Sequence, residues 1–290
     1  MRLLVALLGL AAVACGSDPE TSSAAATTTA GSGGASVTSA STASATSVTT
    51  GGAGGAPVGD SDGDGIDDAA EEAMARDYFP FLSIHPDDQC PLHGVLYRLS
   101  PHPSDATKIH ILYDVLYERD CGLNGHVGDN EAMGVFVDPQ QPAPRGILAV
   151  RTISHQNTIC EKQTTCGTLP NCEACVTAMR NNAMYPVAFS SKDKHGGYTR
   201  ENSCDTSVLC DAGGCALNTV APDSLFVNAG EPEAHLVDNL TTQGFITQAN
   251  GWTEQELFDL DPWGTTDFGG AGNVAEDLID AAFVIDPSGC

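Results

Sequence analysis

The sequence predicts a mainly β protein: a disulfide-rich β-sandwich with a few short peripheral helices, preceded by a disordered tether and a calcium loop. Three observations predict it. Beyond residue 94 the apolar residues fall in short runs rich in Val, Ile, Tyr and Phe, separated by Gly, Pro, Asn and Asp, which is the pattern of strands and turns. Ten cysteines follow the first apolar segment, an even number that reads as a disulfide framework in an exported chain. Residues 21–59 contain only Thr, Ser, Ala, Gly, Val and Pro, too little apolar surface to offset the entropy of ordering, so they read as a flexible tether.

The chain begins with Met1-Arg2 and an apolar run from Leu3 to Ala14. That run is short for a bilayer span and has the form of a signal peptide. Small residues before Cys15 resemble a bacterial lipoprotein processing site, in which Cys15 becomes the lipid-bearing first residue. The expected organisation is therefore a lipoprotein signal peptide at 1–15, a tether at 16–59, a calcium loop with its following helix at 60–74, and a β-sandwich domain at 75–290. The protein is expected to be exported and held to a lipid bilayer, the bacterial outer membrane or cell surface, through Cys15.

The tether stops at Asp60-Ser61-Asp62-Gly63-Asp64-Gly65-Ile66-Asp67-Asp68-Ala69-Ala70-Glu71. This matches the calcium loop D-x-D-x-D-G-x5-E, whose oxygens at the first, third, fifth and twelfth positions and whose seventh backbone carbonyl surround the ion. Asp60, Asp62, Asp64, Glu71 and the carbonyl of Ile66 are the expected ligands, with Asp68 at the water-bridging ninth place. Because tether rather than helix precedes it, the loop resembles a thrombospondin type 3 or dockerin-like half-site. Calcium would then be structural, since extracellular modules bind weakly. Ala70, Met74 and Tyr78, joined by Ala73, recur at helical spacing, and Pro80 ends that helix.

Strands are expected at about 94–99, 108–118, 131–137, 146–152, 186–190 and 224–228. In the second, Ile109, Ile111, Tyr113, Val115 and Tyr117 share one face, while Leu112 and Leu116 on the other imply burial on both sides. Short helices are expected from Asn171, carrying Cys172, Cys175, Val176 and Met179, from Thr253 with its capping-box Glu256, and from Asn273 with Val274, Leu278 and Ala282. Cys90, Cys121, Cys160, Cys166, Cys172, Cys175, Cys204, Cys210, Cys215 and Cys290 form up to five disulfides of undetermined pairing.

Charge argues against two classes of partner. With 38 acidic against 12 basic residues the formal net charge is −26, so neither nucleic acid nor an anionic membrane surface is an expected partner.

The chemistry points to Gly125-His126-Val127-Gly128-Asp129-Asn130-Glu131. An extended chain places Asp129, Glu131, Met133, Val135 and Val137 on one face, two carboxylates above an apolar lower half. With His126 they make an oxygen-rich donor set suited to magnesium, calcium or zinc. His155 and His195 are further candidates to join it.

These residues, with Ala75-Arg76, Pro80 and His85-Pro86-Asp87-Asp88, resemble the vacuolar protein sorting-associated protein sixty-two family over about residues 75–283, and more distantly the necrosis- and ethylene-inducing peptide-like proteins. His126 to Glu131 is similar to the first family's H-x-G-D-W-E and to the second's G-H-R-H-D-W-E, with Asn130 in place of Trp and Gly128 in place of the second His. The resemblance implies that His126, Asp129 and Glu131 hold a divalent ion together with the upstream Asp120, on a β-sandwich. The expected function is a calcium-binding surface lipoprotein whose second metal site recognises an external glycan or a lipid headgroup. A metal-dependent hydrolase of an ester or phosphodiester, and a structural surface protein, are the alternatives; no catalytic residue is assigned.

Overall fold

The computed structural model describes residues 59–60, 64–90, 92–123, 125, 127–156, 158–218, 226–228 and 280–290, with backbone alone at 93, 118, 127–128 and 226–228. Cys15, the tether up to residue 58, Asp62, His126 and the helix expected from Thr253 lie outside the described residues, as does most of the one expected from Asn273.

The architecture is mainly β: the described residues form two sheets and one α-helix, tied by five disulfides. Helix α1 (Asp68–Tyr78) starts where Asp67 accepts a hydrogen bond from the backbone of Ala69, and it ends at Phe79 ahead of Pro80. Its buried stripe is Glu71, Ala75 and Tyr78, with Ala70 and Met74 packed partly against the core; Ala73 faces solvent. Tyr113 Oη donates to the carbonyl of Ala75 at 2.8 Å. Arg180 donates to the carbonyls of Phe79 and Arg76 at 2.7 and 3.1 Å, satisfying helix-end oxygens that would otherwise be left without partners.

The strands are β1 (Phe81–Ile84), β2 (Leu92–His102), β3 (Asp105–Arg119), β4 (Val127–Val137), β5 (Ile147–Ser154), β6 (Lys162–Gly167), β7 (Thr177–Arg180), β8 (Ala183–Ser190), β9 (Gly197–Tyr198) and β10 (Phe226–Asn228). The larger sheet runs β10-β2-β3-β4-β5-β6, antiparallel except where β10 joins β2. In the smaller sheet β8 pairs in parallel with β1, and antiparallel with β7 in its first half and β9 at its last two residues. All six expected strands are present, and β1, β6, β7 and β9 are added to them.

Between the sheets lies one core. Val95, Tyr97 and Leu99 of β2, Ile109 to Tyr117 at alternate positions of β3, and Met133, Val135 and Val137 of β4 meet Phe81, Val187, Phe189 and Tyr198 of the smaller sheet. The other face of β3 is also buried, at Leu112, Asp114 and Leu116, as Leu112 and Leu116 imply. Part of that outer face is covered by the C-terminal segment: Phe136, Ala149 and Ile285 cluster there. His102 and His110 donate from Nε2 to the carbonyls of Ile285 and Phe283 at 2.9 and 3.4 Å. Phe283 belongs to a single 3-10 turn, Ala281–Phe283.

The helix expected from Asn171 is not formed. Asn171 takes φ +61, and Thr177–Arg180 is strand β7. The cause is covalent and local. Cys175 pairs with Cys166 of β6 and Cys172 with Cys290, so the two sulfurs that helical spacing would put on one face are drawn to different partners. The consecutive β-branched pair Val176-Thr177 then favours the extended chain. The remaining disulfides are Cys90–Cys121, Cys160–Cys210 and Cys204–Cys215.

Candidate functional site

Strands β3 and β4 pair with Tyr117 opposite Asp129 and Val115 opposite Glu131. Both carboxylates therefore leave β4 on the face that further along carries Met133, Val135 and Val137 into the core. Asp129 is buried and Glu131 half-buried. From the facing sheet, the loop 191–196 between β8 and β9 delivers His195, whose imidazole has no exposed surface. The ring lies flat on Tyr117, with centroids 3.7 Å apart and planes 3° from parallel. Tyr117 is itself fixed by donating to Ser190 Oγ at 3.0 Å. A small cleft here is lined by Val115, Tyr117, Glu131, Thr152, His195 and Gly197, among others.

His195 sits between two carboxylates. Nδ1 donates to Asp129 Oδ2 at 2.6 Å. Nε2 makes no hydrogen bond but faces Asp88 Oδ2 at 3.4 Å. Asp88 belongs to the turn after β1 and is oriented by the backbone N–H groups of Cys90 at 2.7 Å and Asp193 at 2.8 Å. The carbonyl of Asp193 in turn accepts from Cys121 and Gly122, and Cys90 is bonded to Cys121. Three loops are thereby locked around one imidazole.

Burial by itself would lower the basicity of His195, but the Nδ1 hydrogen bond to Asp129 and the attraction of the Asp129 and Asp88 carboxylates outweigh burial and push its pKa up to about 9. Asp88 shows the reciprocal effect: burial acts to raise its pKa, and the imidazole with the two backbone donors holds it below the usual carboxylate range. At neutral pH this is an imidazolium flanked by carboxylates.

The sequence-derived ligands divide. Asp129 and Glu131 line this region, and Asp129 acts on His195. Asp120 is buried, but its carboxylate is paired with Lys194 and also accepts from the backbone of Gly122 at 2.6 Å. His155 does not join the cluster; it donates from Nε2 to Asp211 at 2.9 Å. Asp88 is absent from the expected ligand set, although the His85-Pro86-Asp87-Asp88 turn is visible in the sequence. No local spacing connects it with position 195, which is brought to it by the parallel pairing of β1 with β8.

Donor atoms of Asp88, Cys90 and His195 lie within 4.8 Å of one another, a group able to hold a metal ion. Cys90 is in a disulfide, so its sulfur is no thiolate and the usable donors are the carboxylate and the imidazole. These fit a cation. Their separation of 3.4 Å is that of two ligand atoms each about 2.1 Å from one ion in tetrahedral arrangement. A carboxylate holding the far nitrogen of the ring is the usual second support of a histidine ligand.

No protein-family model and no curated protein matches the chain. Solved structures give a distant likeness. One described as "Toxin fold for microbial attack and plant defense" is 12% identical, covers 74% of this chain and 90% of its own, and has a TM-score of 0.34. "NLPPya in complex with glucosamine" is 13% identical, covering 61% of this chain and 81% of its own, with a TM-score of 0.34. "Crystal structure of non-toxic HaNLP3 protein" is 12% identical over 56% of this chain and 75% of its own, with a TM-score of 0.29. These neighbours include the necrosis- and ethylene-inducing peptide-like fold.

Proposed function

We propose that the chain is an exported binding module whose cleft holds a divalent cation between Asp88 and His195, backed by Asp129, and recognises through it an external glycan or a lipid headgroup. One observation carries this reading: a fully buried imidazole nitrogen without a hydrogen bond, aimed at a carboxylate oxygen 3.4 Å away. A cation at that point satisfies both atoms. Magnesium, calcium or zinc would supply open coordination positions for paired sugar hydroxyls or a headgroup oxygen, and the one imidazole favours zinc among them. Glu131, on the same cleft, is a third candidate ligand, with His126 and Asp120 from the sequence-derived set as the others. Because a proton and a metal ion compete for Nε2, loading the site releases a proton.

The loop at Asp60 is part of the same reading, as a structural calcium site. Asp60 accepts from the backbone of Gly65 at 3.1 Å and Asp64 from that of Ile66 at 2.8 Å. Gly65 takes φ +97, which spares a side chain the left-handed region. Glu71 is 1% exposed on the face of α1 that packs inward, and Ile66 reaches the core. Calcium here, with Asp62, Asp68 and the Ile66 carbonyl as further ligands, would fasten the end of the tether to the sandwich. Ten paired cysteines support export to an oxidising compartment, and lipidation of Cys15 would hold the tethered module at a membrane.

Metal titration of the full chain by calorimetry tests both sites. Two independent sites are expected, one abolished in Asp60→Ala/Asp64→Ala and the other in Asp88→Ala/His195→Gln. Unchanged binding in the second double variant removes the cation from the cleft. Glycan and liposome binding, with and without chelator, then tests recognition. Radiolabelled palmitate entering wild type but not Cys15→Ser tests the anchor.

A further inference from the structure

Behind the loop that delivers His195 lies Asp211, a carboxylate with no exposed surface. It accepts hydrogen bonds from the hydroxyls of Ser191 and Tyr198 and from His155 Nε2 at 2.9 Å. Ser191 opens the loop 191–196, Tyr198 closes it in β9, and His155 follows the end of β5. A buried carboxylate is costly unless its oxygens are filled, and here donors from three points of the chain fill them. The main chain of Asp211 is fixed as well: its N–H donates to Asp205 at 2.8 Å and its carbonyl accepts from Gly214 at 2.7 Å. That loop is closed by Cys204–Cys215 and joined to the segment after β5 by Cys160–Cys210.

The loop 191–196 needs such a hold. Asp193 and His195 take φ +62 and +57, and His155 takes φ +50. Left-handed backbone at residues bearing a Cβ costs about 1–3 kcal/mol each and persists where the surroundings over-determine it. Gly196 shows how tightly the loop closes on the carboxylate. A Cβ there would come within 3.1 Å of both Asp211 oxygens and 3.0 Å of His155 Nε2, so the position beside His195 leaves little room for a side chain against the buried acid.

We infer that Asp211 is a positioning residue for the cleft: anchored in a disulfide-stiffened loop, it clamps both ends of 191–196 and so fixes His195 Nε2 against Asp88. This rests on the proposal that those two groups hold a cation. The clamp acts on both ligands together, because the N–H of Asp193 within the same loop orients Asp88. Loosening the loop therefore displaces the imidazole and releases the carboxylate in one movement. The second histidine, His155, is on this reading part of the clamp and not a ligand.

The experiment compares wild type with Asp211→Asn, which keeps the shape but presents an amide N–H to one of three donors, and with Ser191→Ala and Tyr198→Phe, which each remove one donor. Two readouts are taken: zinc affinity of the full chain by calorimetry, and, in the metal-free protein, the low-field NMR signal of the His195 Nδ1 proton held by Asp129, assigned with His195→Gln. Asp211→Asn is expected to weaken zinc binding by about tenfold or more and to broaden or erase the proton signal. An intermediate loss is expected in the single-donor variants. A folded Asp211→Asn that binds zinc as wild type does and keeps the signal overturns the inference. Should Asp211→Asn not fold, Ser191→Ala and Tyr198→Phe decide it, and wild-type affinity and signal in both overturn it. Absence of zinc binding by wild type would defeat the cation reading alone, while the proton signal would still decide whether Asp211 positions His195.

Discussion

Two buried histidines in this molecule differ in charge, one cationic and one neutral at pH 7, and the difference lies in what faces them. His195 meets Asp129 and Asp88 in the buried space between the sheets, and its pKa is pushed up to about 9 against the penalty of burial. His110 lies on the outer face of the larger sheet, under the C-terminal segment. There burial dominates: one carbonyl, that of Phe283, acts the other way, while His102, Arg151 and Arg98 add repulsion, and the pKa falls to about 4. Burial alone makes a histidine a neutral packing residue. Burial beside carboxylates makes it a cation, or a site where a metal ion can replace the proton.

The largest test of this contrast is to remove one carboxylate. Asp129→Ala leaves a buried imidazole with its Nδ1–H unanswered, and a loss on the order of 3–5 kcal/mol in urea unfolding at pH 7 is expected. A loss of less than about 1 kcal/mol, the size ordinary for exposed pairs, would mean that His195 is not held as a cation.

Next in size is the pH dependence of the metal-free chain, where the two histidines act with opposite sign. The folded-state pKa of His195 lies above its ordinary 6.5, so the native state retains a proton the unfolded chain gives up. Its contribution is full below pH 6.5 and is lost as pH rises through about 9. The folded-state pKa of His110 lies below 6.5, so its contribution is full above pH 6.5 and is lost as pH falls through about 4. Each is worth up to about 3 kcal/mol. Stability measured from pH 4 to 9.5 should flatten on the alkaline side in His195→Gln and on the acid side in His110→Asn; the reverse assignment breaks the comparison.

A smaller effect is expected from Gly134→Ala on β4. A Cβ there would lie 2.2 Å from the carbonyl of Phe283, so the C-terminal segment must lift from the sheet at a cost of about 1–3 kcal/mol. His110 then loses its cover and should titrate closer to 6.5 by NMR, while His195 is unmoved. Movement of both would mean that the two regions are coupled through β4.

Smallest is Tyr117→Phe, which deletes the hydrogen bond to Ser190 Oγ and keeps the ring stacked on His195. A loss of about 1 kcal/mol with unchanged metal affinity is expected. A large change in affinity would assign the phenol a direct part in the site.

Much of this was legible residue by residue. Alternation in Ile109 to Tyr117 located β3 and its core face, because strand side chains alternate whatever they pack against. The same rule put Asp129 and Glu131 on the face of Met133, Val135 and Val137. The short apolar stripe from Ala70 and the stop at Pro80 located α1, although the most buried alanine is Ala75 rather than Ala73. Helical spacing failed at Cys172 and Cys175, where disulfides to Cys290 and Cys166 overrode it.

The sequence by itself determined the class of fold, an even set of cysteines, the acid-rich loop at Asp60 and one wall of the cleft, since each depends on composition or on spacing along a single segment. Tertiary structure alone decided the other wall. Asp88 lies far along the chain from His195 and Asp211, and the three meet through strand pairing and disulfides, for which no local period exists. It decided also that Asp120 faces Lys194, and that one buried histidine is charged and another neutral, because a side chain's ionisation follows the dielectric and the charges around it in space.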